Sequence, residues 1–190
     1  MRTIFVAALS ALVAAACNGA TAPVDDNYAA LPADQVTFGV AHVTTDNGVR
    51  RANLRADTTL MYNDSSLIDL HGVELDLYDE NGAHQATLTS LSGQLNPSTN
   101  RMIARGAAVC DLTTGEGCVV LTVLGSGGST IWTQELHYDP AQKRIWSDVR
   151  TRRRLANGQV VQGQSFTADD QFRNVNIRGL SGSGLELVDF

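Results

Sequence analysis

The sequence predicts an all-β protein that is built from repeated hairpins. Two alternating apolar runs, one from Trp132 and one from Ile145, flank the turn dipeptide Asp139-Pro140, which is the pattern of two strands joined by a tight turn. The same pattern recurs in three further places, which begin at Leu60, Leu95 and Phe166. After Cys17, no window of ten or more residues shows a helical period of apolar residues. A hairpin alone cannot bury its apolar face, so we expect the hairpins to stack against one another.

The N-terminal segment predicts export. In residues 1–16, one arginine precedes an uncharged apolar run, which is typical of a signal peptide and too short to span a bilayer. Cys17 follows three alanines and resembles the cysteine of a bacterial lipobox, which becomes the lipidated first residue of the mature protein. Ala14 stands where that motif prefers leucine. An ordinary signal peptide, cleaved nearby with Cys17 incidental, is the alternative.

The remainder of the chain divides into a tether and one folded domain. Residues 17–34 are rich in Ala, Asp, Thr and Pro without sustained periodicity, which predicts a flexible tether after the lipidated Cys17. Residues 35–190 form the predicted domain, which begins where Val36, Phe38 and Val40 alternate with polar or small residues. One domain of this length can bury a substantial core.

Two local features of the domain lead to specific expectations. Leu70 is even-numbered but Val73 and Leu75 are odd-numbered, so the inward face changes parity, and we expect a β-bulge at Gly72. Residues 119–124 are apolar at both parities, which predicts a strand that is covered on both faces.

Cys110 and Cys118 are predicted to form a disulfide that staples a hairpin. They lie eight positions apart around a Gly-containing segment, and an exported protein meets an oxidising compartment. The Cys-x-x-Cys spacing of metal and redox sites is absent.

Composition and motifs argue against several functions. The formal net charge of −6 argues against a nucleic-acid partner. The four histidines are scattered singly, and no motif of a hydrolase, zinc protease or phosphate-binding loop occurs. We therefore expect no metal, no cofactor and no catalytic residue. A glycosidase pair among the outward carboxylates remains the enzymatic alternative; these are Glu74, Asp76, Glu135 and Asp148.

One dense basic run stands out in this acidic chain, at Arg150, Arg152, Arg153 and Arg154. A solvated strand face that discourages edge aggregation is the favoured interpretation. A clamp for the phosphate groups of an anionic lipid is the alternative.

Several fragments, taken in their order and spacing, resemble the LptC family, the periplasmic component of the lipopolysaccharide export machine. Two of them are GVELDLYDENG at 72–82 and VQGQSFTAD at 161–169. The others lie at 48–57, 104–109, 136–139, 145–148 and 177–182.

The resemblance implies a twisted, open antiparallel β-jellyroll, in which two sheets meet in a V and the apolar interior carries lipid acyl chains. It also implies three partners: lipopolysaccharide, an inner-membrane lipopolysaccharide transporter, and an LptA-like periplasmic bridge protein that is bound by β-strand addition. Familiar members hold the inner membrane with a transmembrane helix, whereas this chain offers a lipid anchor at Cys17. We expect the periplasmic face of a membrane, with the inner membrane favoured over the outer.

Inward positions of the strands are the candidates for acyl-chain contact. They are Leu60, Tyr62, Ile68, Leu70, Leu75, Leu88, Leu95, Ile103, Trp132, Leu136, Ile145, Phe166, Val175 and Ile177. Residues 36–43 and 172–179 are the expected first and last sheet edges. An outer-membrane lipoprotein with a closed structural or adhesive β-domain, and no lipid transport, is the competing hypothesis.

Overall fold

The structure, a computed structural model, describes residues 33–124 and 128–180. The signal peptide, Cys17 and all but the end of the tether lie outside these residues. No helix in the described ranges is long and apolar enough to cross a membrane.

Thirteen antiparallel strands make up one sheet. They are β1 (Gln35–Asp46), β2 (Val49–Met61), β3 (Ile68–Tyr78), β4 (His84–Asn96), β5 (Arg101–Arg105), β6 (Val119–Val123), β7 (Ser129–Thr133), β8 (Glu135–Asp139), β9 (Arg144–Ser147), β10 (Thr151–Leu155), β11 (Val160–Gly163), β12 (Ser165–Asp169) and β13 (Val175–Arg178). The all-β prediction is confirmed.

The sheet forks at β4. Strands β1 to β4 pair in sequence order, and β3 follows β4 along nearly its whole length. On its other side β4 carries two strands end to end, since β6 pairs with the first half of β4 and β5 with the second. One branch continues as β6-β7-β10-β11, and the other as β5-β8-β9-β12-β13.

A crease separates the two branches. Strands β7 and β8, β9 and β10, and β11 and β12 follow one another with breaks of one to three residues. Each of these pairs is therefore one longer strand that bends and contributes to both branches. Strands β1 to β4 continue this arrangement, with one half of each strand on either side of the crease, and the result is the two-sheet jellyroll that the resemblance implies.

Gly72 lies on the crease, and the β-bulge predicted there is wrong. The register is continuous on both sides of it, because His71 pairs with Ser92 and Val73 with Ser90. Instead, Gly72 has a φ of +60°, and the strand changes its inward parity without an inserted residue. A side chain at this position would also collide with Asp57.

The four predicted hairpins are confirmed, as β2–β3, β4–β5, β8–β9 and β12–β13. Acidic side chains hold the last two turns. Asp139 Oδ1 accepts a hydrogen bond from the Gln142 amide at 3.1 Å, and Asp169 Oδ1 accepts one from the Arg173 amide at 2.9 Å.

The predicted disulfide between Cys110 and Cys118 is confirmed, but it does not staple a hairpin. Strands β5 and β6 do not pair with each other, since both pair with β4. The bridged segment is an excursion from one interrupted strand, closed at its neck where the Ala107 amide donates to the Gly117 carbonyl at 2.6 Å. We refer to residues 107–117 as the disulfide loop.

A single apolar core joins the two branches. Its most buried side chains come from both branches and from β4, and each is at most 1% exposed. They include Leu121 and Ile131 from one branch, Leu136 and Phe166 from the other, and Leu88 from β4. The prediction that β6 is covered on both faces is wrong, because Thr122 is exposed.

Candidate functional site

An apolar cavity of about 230 Å³ lies where β1 and β2 face the start of β3 and the end of β4. Most of its lining side chains are aliphatic, and two threonines and one histidine complete the lining. The lining residues are Thr37, Val40, His42, Leu54, Ala56, Thr59, Met61, Ile68, Leu70, Leu95 and Pro97.

Two further spaces adjoin this cavity. A small one of about 30 Å³ shares His42, Leu54 and Leu95 with it and reaches Tyr138. A more polar pocket of about 420 Å³ shares Met61, Ile68 and Pro97 and includes the β2–β3 turn. Because they share lining residues, the three spaces lie side by side, and we refer to them together as the trough.

Strand β1 forms one wall of the trough and is a sheet edge. It pairs with β2 and with no other strand of the described chain. None of its residues is fully buried, and Phe38 and Val43 are 54% and 48% exposed. A long edge strand of this kind can accept a further strand.

Five of the predicted acyl-contact residues line the trough. Ile68, Leu70 and Leu95 line the main cavity, Leu75 lines the small space, and Tyr62 lines the outer pocket.

The other predicted residues lie elsewhere. Leu88, Leu136, Ile145 and Phe166 are buried in the core, and Val175 and Ile177 pack against it.

Three candidates face the opposite side of the sheet, so their predicted inward orientation is wrong. Thr59 and Met61 line the cavity, so the intervening Leu60 points away from it. Ile103 alternates in the same way with the core residues Met102 and Ala104. Trp132 pairs with Arg152 and lies beneath the disulfide loop, where Gly115 approaches its indole.

Other residues that line the trough were not among the acyl-contact positions predicted from the sequence. Val40, Leu54 and Ala56 were recognisable as apolar positions of alternating strands, but Met61 and Pro97 adjoin turns. Strand pairing brings them together, because Met61 lies opposite Ile68 and Ile68 lies opposite Leu95, two residues before Pro97.

Two ion pairs join the β1–β4 part of the sheet to turns of the branch that ends in β13. The Arg51 guanidinium and the Asp170 carboxylate are 3.9 Å apart, and Lys143 and Glu80 are 3.6 Å apart. Burial is the main cause that raises the pKa of Tyr138 to about 12, and the nearby Asp170 raises it further while Arg51 lowers it. The Tyr138 hydroxyl is therefore neutral at physiological pH. Within the described ranges, no group of three His, Cys, Asp or Glu residues could hold a metal ion.

The fold and the trough define the class: an antiparallel β-jellyroll with an apolar cavity beside an edge strand. A family model described as "LptC: Lipopolysaccharide-assembly, LptC-related" matches residues 4–179. The chain therefore belongs to the LptC-related lipopolysaccharide-assembly family, and the resemblance noted in its sequence is confirmed.

Other comparisons are more distant. The crystal structure of LptH from Pseudomonas aeruginosa, titled the LptA homologous periplasmic component of the conserved lipopolysaccharide transport device, is 13% identical with a TM-score of 0.49. The alignment covers 71% of this chain and 87% of LptH. No curated protein matches the chain significantly.

Proposed function

We propose that this protein binds the acyl chains of lipopolysaccharide in the trough and passes the lipid along a periplasmic β-bridge to the outer membrane. The apolar cavity of about 230 Å³ carries the proposal. A dry apolar cavity of roughly 150 Å³ is enough to bind benzene. Here the cavity also shares Met61, Ile68 and Pro97 with a more polar surface pocket, which is the side from which an acyl chain would enter. Membership of the lipopolysaccharide-assembly family supports this choice of lipid.

The ends of the sheet fit the proposed partners. Strand β1 is an edge beside the trough, and β13 pairs only with β12 among the described strands. We assign the β1 side to an inner-membrane lipopolysaccharide transporter. The β13 edge is assigned to an LptA-like bridge protein that adds a strand to it. Binding and transfer in this scheme require no catalysis and no cofactor.

Cys17 provides the membrane attachment in this proposal. Its lipidation would hold the domain at the periplasmic face of a membrane, and the residues that follow it would serve as the tether. A relay that receives lipid from an inner-membrane transporter must reach that membrane, which favours the inner membrane over the outer. Metabolic labelling with a fatty acid should modify the wild-type chain and not the Cys17→Ala variant.

Photo-crosslinking tests lipid binding in cells. A photoreactive amino acid at Ile68, Leu70 or Leu95 should capture lipopolysaccharide, because these positions line the cavity. The outward positions Asn53 and Asn176 serve as controls. Labelling at the cavity positions no stronger than at the controls would refute acyl-chain binding in the trough.

A second candidate function is a closed structural domain of an outer-membrane lipoprotein. The continuous buried core favours it, since Leu88, Leu136, Ile145 and Phe166 leave no space for a ligand. Membrane fractionation combined with binding of an environment-sensitive apolar dye separates the two functions. Outer-membrane residence without dye binding supports the structural domain.

A further inference from the structure

Arg153 is the exception among the half-buried arginines of the described chain. Arg51 pairs with Asp170, Arg105 with Glu135, and Arg152 donates to two carbonyls of the disulfide loop. The Nε atoms of Arg152 and Arg153 are both buried without a partner. Arg153 differs from Arg152 because the rest of its guanidinium also makes no hydrogen bond, ion pair or aromatic contact with any described residue. A buried polar group is normally hydrogen-bonded, and a buried charge is normally paired.

The side chain of Arg153 points to the inner face of the jellyroll. It lies directly opposite Ile131 on β7, and Ile131 is a fully buried core residue. Residues that pair across an antiparallel ladder share one face of the sheet. Thr151, two positions earlier and therefore on the same face, is also buried. Burial lowers the pKa of Arg153, which agrees with a cation that is partly withdrawn from water.

The adjacent arginines point the other way. Arg152 and Arg154 lie over the Trp132 ring on the outer face, with guanidinium carbons 5.9 and 5.2 Å from its centroid. The basic run is therefore divided between two faces of β10. Only Arg153 brings its charge to the face that also forms the cavity.

One cross-strand row connects Arg153 with the cavity. From Arg153 it runs through Ile131, Leu121, Leu88, Leu75 and Leu54 to His42. Leu54 and His42 line the main cavity. Six strand spacings separate the ends of the row, or roughly 29 Å along the curved sheet. The middle of the row is buried, so the cation and the cavity are two separate contacts on one face.

We infer that the Arg153 guanidinium binds a phosphate group of the lipid as the lipid passes the β10–β11 end of the inner face. This inference rests on the proposed function, because the phosphate belongs to the same molecule whose acyl chains enter the cavity. A planar guanidinium donates two parallel hydrogen bonds to a phosphate. The phosphate would supply the counter-charge and the acceptor that the protein does not provide.

Binding of two lipids by the full-length protein in detergent micelles tests the inference. The probes are bisphosphorylated lipid A and the same lipid after removal of both phosphates. The wild type should prefer the phosphorylated lipid by about tenfold, since a hydrogen bond to a charged group contributes on that scale. Arg153→Gln should bind both lipids within about twofold of each other, and Arg153→Lys should keep part of the preference. Arg154→Gln is the matched control on the outer face and should behave as the wild type.

The outcomes separate this inference from the proposed function. Equal binding of both lipids by the wild type would overturn the role of Arg153 and leave the cavity function standing. A preference that survives in Arg153→Gln, or that Arg154→Gln also loses, would overturn it as well. If the wild type binds neither lipid, both proposals are wrong. Displacement of the bound phosphorylated lipid by inorganic phosphate would show that Arg153 binds free phosphate. That result would also contradict a site for the lipid headgroup. Circular dichroism must show that each variant is folded, and Arg153→Lys provides a second folded test if Arg153→Gln is not.

Discussion

Arg51 and Asp170 meet across the two halves of the jellyroll, with only 16% and 15% of their side chains exposed. Arg51 follows the β1–β2 turn and Asp170 lies in the β12–β13 turn, so the pair joins the first hairpin of the described sheet to the last. We predict that Asp170→Asn lowers the free energy of unfolding by roughly 1 kcal/mol, as expected for a partly shielded ion pair. Urea unfolding measures the loss, which should shrink at high salt.

Lys143→Gln is the matched control for this prediction. It removes the other cross-sheet ion pair, whose two side chains are both 62% exposed, and exposed pairs contribute little. A loss from Lys143→Gln as large as that from Asp170→Asn would contradict the assignment of the tie to Arg51 and Asp170.

Tyr138 is expected to make the free energy of unfolding of the protein fall at alkaline pH. Its pKa is raised to about 12 in the folded protein, compared with about 10 in an unfolded chain. The folded state therefore binds the proton more tightly, so this contribution is complete below pH 10 and is lost as pH rises toward 12. A shift of this size corresponds to about 2–3 kcal/mol. Tyr138→Phe should lose less stability than the wild type between pH 9 and 12 in urea titrations, and parallel profiles would disprove the assignment.

The disulfide should stabilise the domain by closing a short loop. Replacing both Cys110 and Cys118 with serine should cost roughly 2.5 kcal/mol in the chain-entropy model. The same change should loosen the cover of Trp132 and shift its fluorescence to the red. Wild-type protein treated with a reductant should reproduce both effects. Mass spectrometry of unreduced peptides that finds both thiols free would contradict the pairing.

Gly72→Ala should destabilise the domain more than Gly39→Ala. Both glycines have nearly the same backbone conformation, with φ values of +60° and +62°, so the conformational strain of alanine, roughly 1 kcal/mol, is common to both. At Gly72 the new methyl group also meets Asp57, whereas nothing lies within 4 Å of Gly39. Thermal unfolding of the two variants isolates the steric contribution. Equal melting temperatures would show that Asp57 moves away at no cost.

Proline substitutions test the β13 edge. Successive backbone amides of a strand point to opposite sides of the strand. Of the two variants Asn176→Pro and Ile177→Pro, one therefore removes a backbone hydrogen bond to β12. The other removes an N–H group from the unpaired edge of β13. The variant that keeps its melting temperature should bind an LptA-like partner at least tenfold more weakly, because proline cannot donate to an added strand. Unchanged affinity in that folded variant would exclude β13 as the docking edge.

Local pattern was sufficient to predict the hairpins but not the faces of the strands. Turn dipeptides and alternation are properties of neighbouring residues, and β8–β9 and β12–β13 follow them. The crease is not visible in alternation, and counting parity across Gln134 assigned Trp132 to the wrong face. Phe172 was expected on an edge strand, but it lies in a turn with a φ of +55° and is 2% exposed.

The cavity was predictable only in part. Ile68, Leu70 and Leu95 were recognised as inward residues because they belong to regular strands. Met61 and Pro97 join them through the pairing of Met61 with Ile68 and of Ile68 with Leu95. That arrangement depends on how the three strands align with one another, which the alternation within one strand does not show.

The fork at β4 has a consequence for the kinetics of folding. Strands β1 to β4 pair with their sequence neighbours through short turns, and local contacts of this kind form early. The pairing of Ala86 with Val123 instead closes a loop that spans the whole of β5 and the disulfide loop, and loop closure must be completed before such a contact stabilises the chain. The β1–β4 meander is thus expected to form first and to serve as the template for both branches. Docking of β6 onto the first half of β4 is expected to follow, and formation of the Cys110–Cys118 bridge shortens the loop that this step must close.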